Sequence, residues 1–520
     1  MKYNKYRNYY KILIITVSSF ILILLAGFFL TTYIENKIDT KLISIQGRAT
    51  SINVSLWNQS IVLNGLALGN SEDSVNGAHQ FLRLEYASLR GIDPYDLMIK
   101  KNLTVDELII NNGTLHYIRP DSDSTHSSNA LNKVFFFKKI TVNNVATQII
   151  TDTIVNLSAV INCQLAGVNL KIDSAGKFNY NVSGAEVVVQ QIDFNRHEGT
   201  HGGSIAKFSY TSETEKAEID SARVIPNYGK LELGQHFKQQ KSRISLLVPK
   251  IIIEGLSLDK MIDSAFIASR IEILSFDVTA FKDKRLPFLK KDIVPMPMET
   301  FLKLPFHVNV DSIIIKDSHI TIEEFPEGAT QSIQVTFNHV NGKFAGLNNR
   351  IEKGDSSRAI LQAHGLLMNK GHVNAVFKFP LDGSPTYTAK GSISKMSFAE
   401  LNQALVNSAA LRVQSGYLNN LSFDFNYTDQ SSVGKLVINY ENLKVSGLKK
   451  DKGINEIKTL LINMFVKNDK TKLLPKSERT GTINVERDRK KFIFNLWWKS
   501  ILDGLKSSIL GNDKTNNKKS

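Results

Sequence analysis

Apolar and polar residues alternate with a period of two along most of this 520-residue chain, the pattern of strands that turn one face to a core. Ile52, Val54 and Leu56 alternate. So do Ile61, Leu63, Leu66 and Leu68, with a one-residue slip, and then Phe81, Leu82 and Leu84. Further on come Val373, Ala375, Phe377 and Phe379, then Leu421, Phe423, Phe425 and Tyr427, then Leu436, Ile438 and Tyr440. Turn sequences at 381–385, 417–420 and 428–432 separate these runs, and such short gaps predict an antiparallel meander. Helical periodicity is confined to a few places. Ser397 and Glu400 form a capping box ahead of Phe398, Leu401, Leu405 and Ala409, and Ile454, Ile457, Leu461, Met464 and Phe465 share a second face. The third helix, at 494–510, sets Phe494, Trp498, Ile501, Leu505 and Ile509 on one stripe. The polar stretch 119–132 reads as a mobile loop and the tail 511–520 as disordered.

An internal repeat lies within the strand-like sequence. VDELIINNGTLHYI (105–118) and VDSIIIKDSHITIE (310–323) align without gaps, pairing Val105 with Val310, Asp106 with Asp311, Leu108 with Ile313, Ile110 with Ile315 and Leu115 with Ile320. A helix-compatible segment precedes each copy, at 91–103 and 295–308, and weaker copies stand at 138–150 and 249–261. Each reads as strand, tight turn, strand, with Asn112-Gly113 favouring left-handed backbone at the turn. Asp106 and Asp311 read as caps of nearby backbone.

The first forty residues carry a different signal. Ile12 to Ile34 hold no charged side chain and would form a helix of roughly 34 Å, enough to span a hydrocarbon core. Lys2, Lys5, Arg7 and Lys11 precede this run without an acid, which places the N-terminus in the cytoplasm and translocates the rest. Tyr9, Tyr10 and Tyr33 sit at headgroup level. A cleaved signal peptide is the competing reading, but the run is long for one and no A-x-A-like site follows. The formal charge is +15, from 64 Lys+Arg against 49 Asp+Glu, which suits a surface beside anionic lipid; a translocated domain would not meet nucleic acid. Cys163, the single cysteine, reads as a small buried hydrophobe.

A transmembrane anchor followed by KLISIQGRATSINVSLWNQSIVLNGLALGN and FLRLEYASLRGIDPYDLMIKKNLTVDELIINNGTLHYI resembles the AsmA-like family of Gram-negative envelope proteins. The later segment 384–428 resembles that family's second module, in which a strand, a short helix and a G-x-L-x-x-L strand recur. The resemblance covers most of the chain but not 236–261 or 281–297. It implies a mainly β fold: an N-terminal transmembrane helix, then an elongated, curved antiparallel β-sheet groove with a few short helices and a C-terminal amphipathic helix. On this reading residues 1–11 are cytoplasmic, 12–34 the membrane span, 35–240 and 241–450 two β-rich modules, and 451–510 the closing helices. Leu108, Ile110, Ile313, Ile315, Phe377, Phe423 and Phe425 are candidates to line the groove. Membrane phospholipids are the implied partners, together with outer-membrane or envelope-assembly proteins.

Chemistry-bearing motifs are scarce. RHEGTHGG (196–203) contains an H-E-x-x-H string, in which His197 and His201 would be zinc ligands and Glu198 a general base. That chemistry needs a helix, whereas Gly199, Gly202 and Gly203 and flanking strand patterns make this a hairpin tip. No phosphate-binding glycine loop, nucleophile elbow or C-x-x-C pair is present, so no catalytic residue, metal or cofactor is expected. Phe494, Trp497, Trp498, Ile501 and Leu505, with Lys499 and Lys506 alongside, suit a helix lying in a headgroup layer or, alternatively, one plugging the end of the sheet. The basic runs 487–491 and 283–291 could meet anionic lipid or simply be solvated. A lipid-carrying groove and a non-transporting scaffold with a filled sandwich core both demand the same inward alternation.

Overall fold

The computed structural model describes residues 26–69, 81–118, 133–151, 154–172, 178–195, 199–289, 292–351, 357–409, 411–447 and 477–510. The protein is mainly β and divides into two compact units, 1–195 with 207–213, and 196–206 with 214–520. The first contains β1 (Gly47–Arg48), β2 (Ser51–Ser55), β3 (Ser60–Leu68), β4 (Phe81–Ile92), β5 (Leu103–Ile118), β6 (Lys133–Thr151), β7 (Ile154–Ile172), β8 (Phe178–Asn181) and β9 (Gly184–Asn195). Strand β10 (His201–Thr211) is divided between the units. The second holds β11 (Lys216–Pro226), β12 (Ser242–Glu254), β13 (Ala265–Leu274), β14 (Asp277–Asp283), β15 (His307–Phe325), β16 (Ile333–Asn348) and β17 (Arg358–Leu367). It continues with β18 (Gly371–Pro380), β19 (Tyr387–Ser397), β20 (Leu411–Tyr427), β21 (Ser431–Gly447) and β22 (Ser477–Glu486), and ends in a helix, Ile493–Leu510.

Most strands adjacent in sequence pair antiparallel, and each unit has one place where the pairing is parallel. β5 and β6 run parallel, Leu108 beside Ile140, and β13 with β14 runs parallel to β15, Ile271 beside Ile313. The expected purely antiparallel sheet is therefore mixed. A parallel pair needs a long return connection, and the segments 119–132 and 284–306 supply it. The loop expected at 119–132, the helix at 454–465 and the tail at 511–520 lie outside the described residues.

The repeated sequence is not a hairpin. Each copy is one unbroken strand, β5 or β15, and the expected turn residue is a single left-handed position within it: Asn112 at φ +50° and Asp317 at φ +41°. Such a residue shifts the inside–outside alternation by one. Leu108 and Ile110 before Asn112 thus face the same side as Gly113 after it. A second shift falls at Asp106, so the inward positions of β5 run Leu103, Val105, Leu108, Ile110, Gly113, in steps of two and three. The slip read at Leu63 and Leu66 is the same device, at Gly65 with φ +59°.

These positions line up across strands. Gly91 (φ +64°) stands opposite Asp106, whose carboxylate fills the space a side chain at Gly91 would need and pairs with Lys138 on β6 at 2.6 Å. Asp106 is thus an ion-pair partner, not the backbone cap expected of it. Along the other line the Asn112 amide donates to Glu85 Oε2 at 2.8 Å, the Asn144 amide donates to Asn112 Oδ1 at 2.9 Å, and the Asn144 backbone N–H donates to Asn162 Oδ1 at 2.9 Å. In the second unit the Asp317 N–H donates to Asn341 Oδ1 at 3.0 Å, the counterpart of the last of these. The weak copy at 138–150 proves to be β6, beside β5 and in register with it. That at 249–261 does not repeat the pattern: β12 ends at Glu254 and a helix, Leu258–Ile262, follows.

Residues 26–44 form a helix. Ile38 and Leu42 pack it against Leu66, Leu84 and Ala87, and Glu35 Oε1 accepts the Val54 N–H on edge strand β2 at 2.8 Å. The opposite terminus repeats the arrangement: on β22 the Asn484 N–H donates to Asp503 Oδ2 at 2.8 Å and the Thr482 N–H to Ser507 Oγ at 3.0 Å. Helix-borne acceptors thereby occupy strand-edge donors that would otherwise invite another strand. Among the described residues no helix is long and apolar enough to cross a membrane. Most of the run expected to span one, residues 12–25, lies outside them, so the expected transmembrane helix gains no support there.

The left-handed positions can be tested by substitution. Gly91→Ala places a methyl group against Asp106 in a backbone region unfavourable to L residues and should cost about 1–3 kcal/mol in denaturant unfolding. Asn112→Gly should be close to neutral and Asn112→Val destabilising, because a β-branched side chain resists positive φ.

Candidate functional site

The phase shifts gather apolar side chains on one face of the first unit. Ile61, Leu89, Leu108, Ile140, Leu165 and Ala185 stand in cross-strand register from β3 to β9, and Leu63, Ala87, Ile110, Val142, Cys163 and Val187 form the adjacent row. Leu89, Leu108, Ile140 and Leu165, with Ile110, Val142, Cys163 and Val187, are only half-buried. The opposite face is polar: Glu107 stands 3.9 Å from both Arg90 and Lys139. The N-terminal helix covers this apolar face around Leu66 and Leu84. Cys163 lies within it, where burial pushes its thiol up.

In the second unit the remaining lining candidates fall into two equivalent rows. One runs Ile271, Ile313, Phe344, Leu361, Phe377, Ala389, Phe425, and the other Ile273, Ile315, Gly342, Ala363, Ala375, Gly391, Phe423. Ile313, Ile315, Phe344 and Phe377 are half-buried, whereas Phe423 and Phe425 are buried. Trp497 of the C-terminal helix stacks on Phe377 with ring centroids 4.3 Å apart and meets Tyr427 edge-on at 5.9 Å. Phe423 and Phe425 therefore belong to a filled core rather than to an open lining.

The C-terminal helix uses a face that the apolar stripe does not reveal. Ile493, Leu496, Ser500, Gly504 and Ser508 are its buried positions. Ser500 Oγ lies 2.6 Å from Ser432 Oγ, and a side chain at Gly504 would come within 2.7 Å of Leu436 Cβ. Small residues at intervals of four let the helix approach the sheet closely; that spacing is the signal in the sequence, and an apolarity stripe overlooks it. The two tryptophans separate: Trp497 turns inward, while Trp498 (52% exposed) and Phe494 (68%) face out, with Ile501 and Leu505 half-buried.

Among the described residues the basic runs are largely paired. Arg487 is buried, makes an ion pair with Asp429 and donates to the Val294 carbonyl at 2.7 Å, and Arg489 reaches the same carboxylate at 2.6 Å. Arg285 makes two bonds to Asp283, at 2.9 and 2.7 Å, and holds that carboxyl below the usual carboxylate range. Of the H-E-x-x-H string, His197 and Glu198 lie outside the described residues. His201 Nε2 accepts the Ile244 N–H at 3.0 Å while Nδ1 lies 3.0 Å from Thr200 Oγ1, so its ring is engaged in the strand. Among the described residues no group of three or more His, Cys, Asp or Glu is placed to hold a metal. No family model matches the sequence, and no curated protein is significantly similar to it.

Two sets of substitutions test these assignments. Trp497→Ala should destabilise the second unit by about 3–5 kcal/mol, whereas Trp498→Ala should stay within about 0.5 kcal/mol, as read from denaturant midpoints. Asp429→Ala strands the buried Arg487 guanidinium and should cost about 3–5 kcal/mol, far more than Asp488→Ala in the half-exposed Lys491 pair.

Proposed function

We propose that this chain is a membrane-anchored groove protein whose apolar face holds phospholipid acyl chains and lets them slide, with no bond made or broken. The observation that carries the reading is the pair of half-buried rows crossing β3 to β9, a contiguous apolar face backed by a polar one. Acyl chains need only a dry, continuous apolar surface, and a hydrogen-bonded sheet offers one without stranded backbone groups. The uncharged run 12–34 supplies the anchor, in the inner membrane with the N-terminus cytoplasmic and the bulk in the periplasm. This agrees with what the resemblance to AsmA-like proteins implies: transfer of phospholipid between envelope membranes in outer-membrane homeostasis.

A second reading, a non-transporting scaffold for envelope assembly, draws on the filled aromatic core around Phe425, Tyr427 and Trp497. One experiment separates the two. The full chain, extracted in mild detergent, should carry co-purifying phospholipid by mass spectrometry, and maleimide should alkylate Cys163 several-fold more slowly in lipid-loaded than in delipidated protein. Lipid-free protein with an unchanged alkylation rate would overturn the groove and leave the scaffold.

A further inference from the structure

One end of the first unit exposes apolar side chains from three separate segments. The hairpin of β2 and β3 closes at the Ser55–Ser60 pair, and its tip, 56–59, presents Trp57 at 78% exposure. Beside it the Ile92 N–H donates to the Gln59 carbonyl at 3.0 Å, so β4 leaves the sheet next to this tip. The chain then enters a helical turn, Asp96–Lys100, in which no residue is buried. Tyr95 is 61% exposed, Met98 72% and Ile99 66%, and Leu97 is exposed as well.

The acids of this turn are occupied. Asp93 Oδ1 accepts the N–H groups of Tyr95 and Asp96, at 2.8 and 3.1 Å. Asp96 accepts the Thr104 hydroxyl at 2.6 Å and pairs with Lys100 at 2.7 Å. The loop is therefore held from its base by the sheet, with its apolar side chains turned outward and Lys100 and Lys101 at their margin. Lys101, left-handed at φ +56°, ends the turn.

The N-terminal helix emerges at the same end. Leu42 packs by Leu66 and Leu84, and one helical stretch earlier Glu35 binds the N–H of Val54, which adjoins the hairpin tip. At 1.5 Å per residue, Phe28, Phe29, Leu30 and Tyr33 lie roughly 3–10 Å further toward that tip, and all four are exposed. They are also the last part of the uncharged run that begins at Ile12.

We infer that Trp57 and the loop Tyr95–Ile99 form a platform that dips into the outer leaflet of the anchoring membrane beside the N-terminal helix. The chemistry matches an anionic phospholipid interface: an indole and a phenol at the rim, Leu97, Met98 and Ile99 to enter the acyl region, and Lys101 beside them for phosphate. A protein groove could also accept these side chains. The bilayer is the occupant, because Phe28, Phe29, Leu30 and Tyr33, in the last part of the uncharged run, lie exposed at this same end. The inference rests on the anchor of the proposed function. It also explains how the apolar rows reach lipid, since Leu103 and Val105, which open the apolar face on β5, directly follow the loop.

The test uses the full chain reconstituted in phosphatidylcholine–phosphatidylglycerol vesicles, on a Cys163→Ser background. Single variants Phe28→Cys, Trp57→Cys, Met98→Cys and Tyr117→Cys each carry an environment-sensitive fluorophore. Tyr117 is exposed at the far end of β5, about 40–50 Å from the loop. Fluorophores at 28, 57 and 98 should shift to the blue and be quenched by brominated phospholipid, with that at 117 unaffected. Quenching at 28 alone keeps the anchor and overturns the platform. Quenching at 57 and 98 without 28 upholds the platform and overturns the anchor. A blue shift at 57 and 98 without bromolipid quenching identifies a protein contact and overturns the platform.

Discussion

A strand can keep only every second side chain on a given face, and the structure depends on how this chain departs from that limit. Left-handed residues at Gly65, Gly91, Asn112, Asn144 and Gly167 reset the alternation, so that inward positions recur in steps of two and three. Because these residues lie in line across neighbouring strands, the reset occurs on all of them together and the apolar rows continue without interruption. Each left-handed position carries a conformational cost for a residue other than glycine. Here the cost is offset locally: the Asn112 and Asn144 amides bond to each other and to Glu85, and the Asn144 backbone bonds to Asn162. In the second unit Asp317 does the same with Asn341, and Ser318, fully buried, takes the inward place that Gly113 holds in the first.

From that constraint follows the contrast between the two apolar faces. In the first unit the rows that include Leu108, Ile110 and Cys163 remain half-exposed. In the second, the C-terminal helix brings Trp497 down on Phe377 and Tyr427, and the face is filled where Phe423 and Phe425 stand. The helix can do this because Ser500, Gly504 and Ser508 let its backbone come close, and because Asp503 and Ser507 satisfy donors on β22. The closing contact and the edge protection are thus made by one element, as they are at the other terminus by Glu35, Ile38 and Leu42.

Charge is used differently from what its excess in composition suggests. Arg487 and Arg489 converge on Asp429, and Arg285 on Asp283, so several cations in the basic runs hold segments in place instead of waiting for an anionic partner. The histidine of the metal-like string has a similar fate, with His201 accepting a backbone N–H from β12. Groups that look like a surface or a site in one dimension prove to be internal ties.

The sequence by itself determined that the chain is mainly β, that apolar side chains would share one face, and that 105–118 and 310–323 are copies of one element. These follow from local chemistry, because periodicity and the tolerance of Asn and Asp for left-handed backbone act within a few residues. It also named Leu108, Ile110, Ile313, Ile315 and Phe377 as groove-lining candidates; in the structure they are half-buried members of the apolar rows. Only the tertiary structure decided that the left-handed residue continues a strand instead of turning it, since a hairpin and a phase shift begin with the same dihedral and differ in which strand pairs next. The same holds for YLNN at 417–420, read as a turn and found inside β20, where the ladder to β21 shifts register. Parallel pairing of β5 with β6, the burial of Phe423 and Phe425, and the separation of Trp497 from Trp498 were likewise beyond the sequence. Each depends on what lies opposite a residue in space, and the partner in every case is distant along the chain.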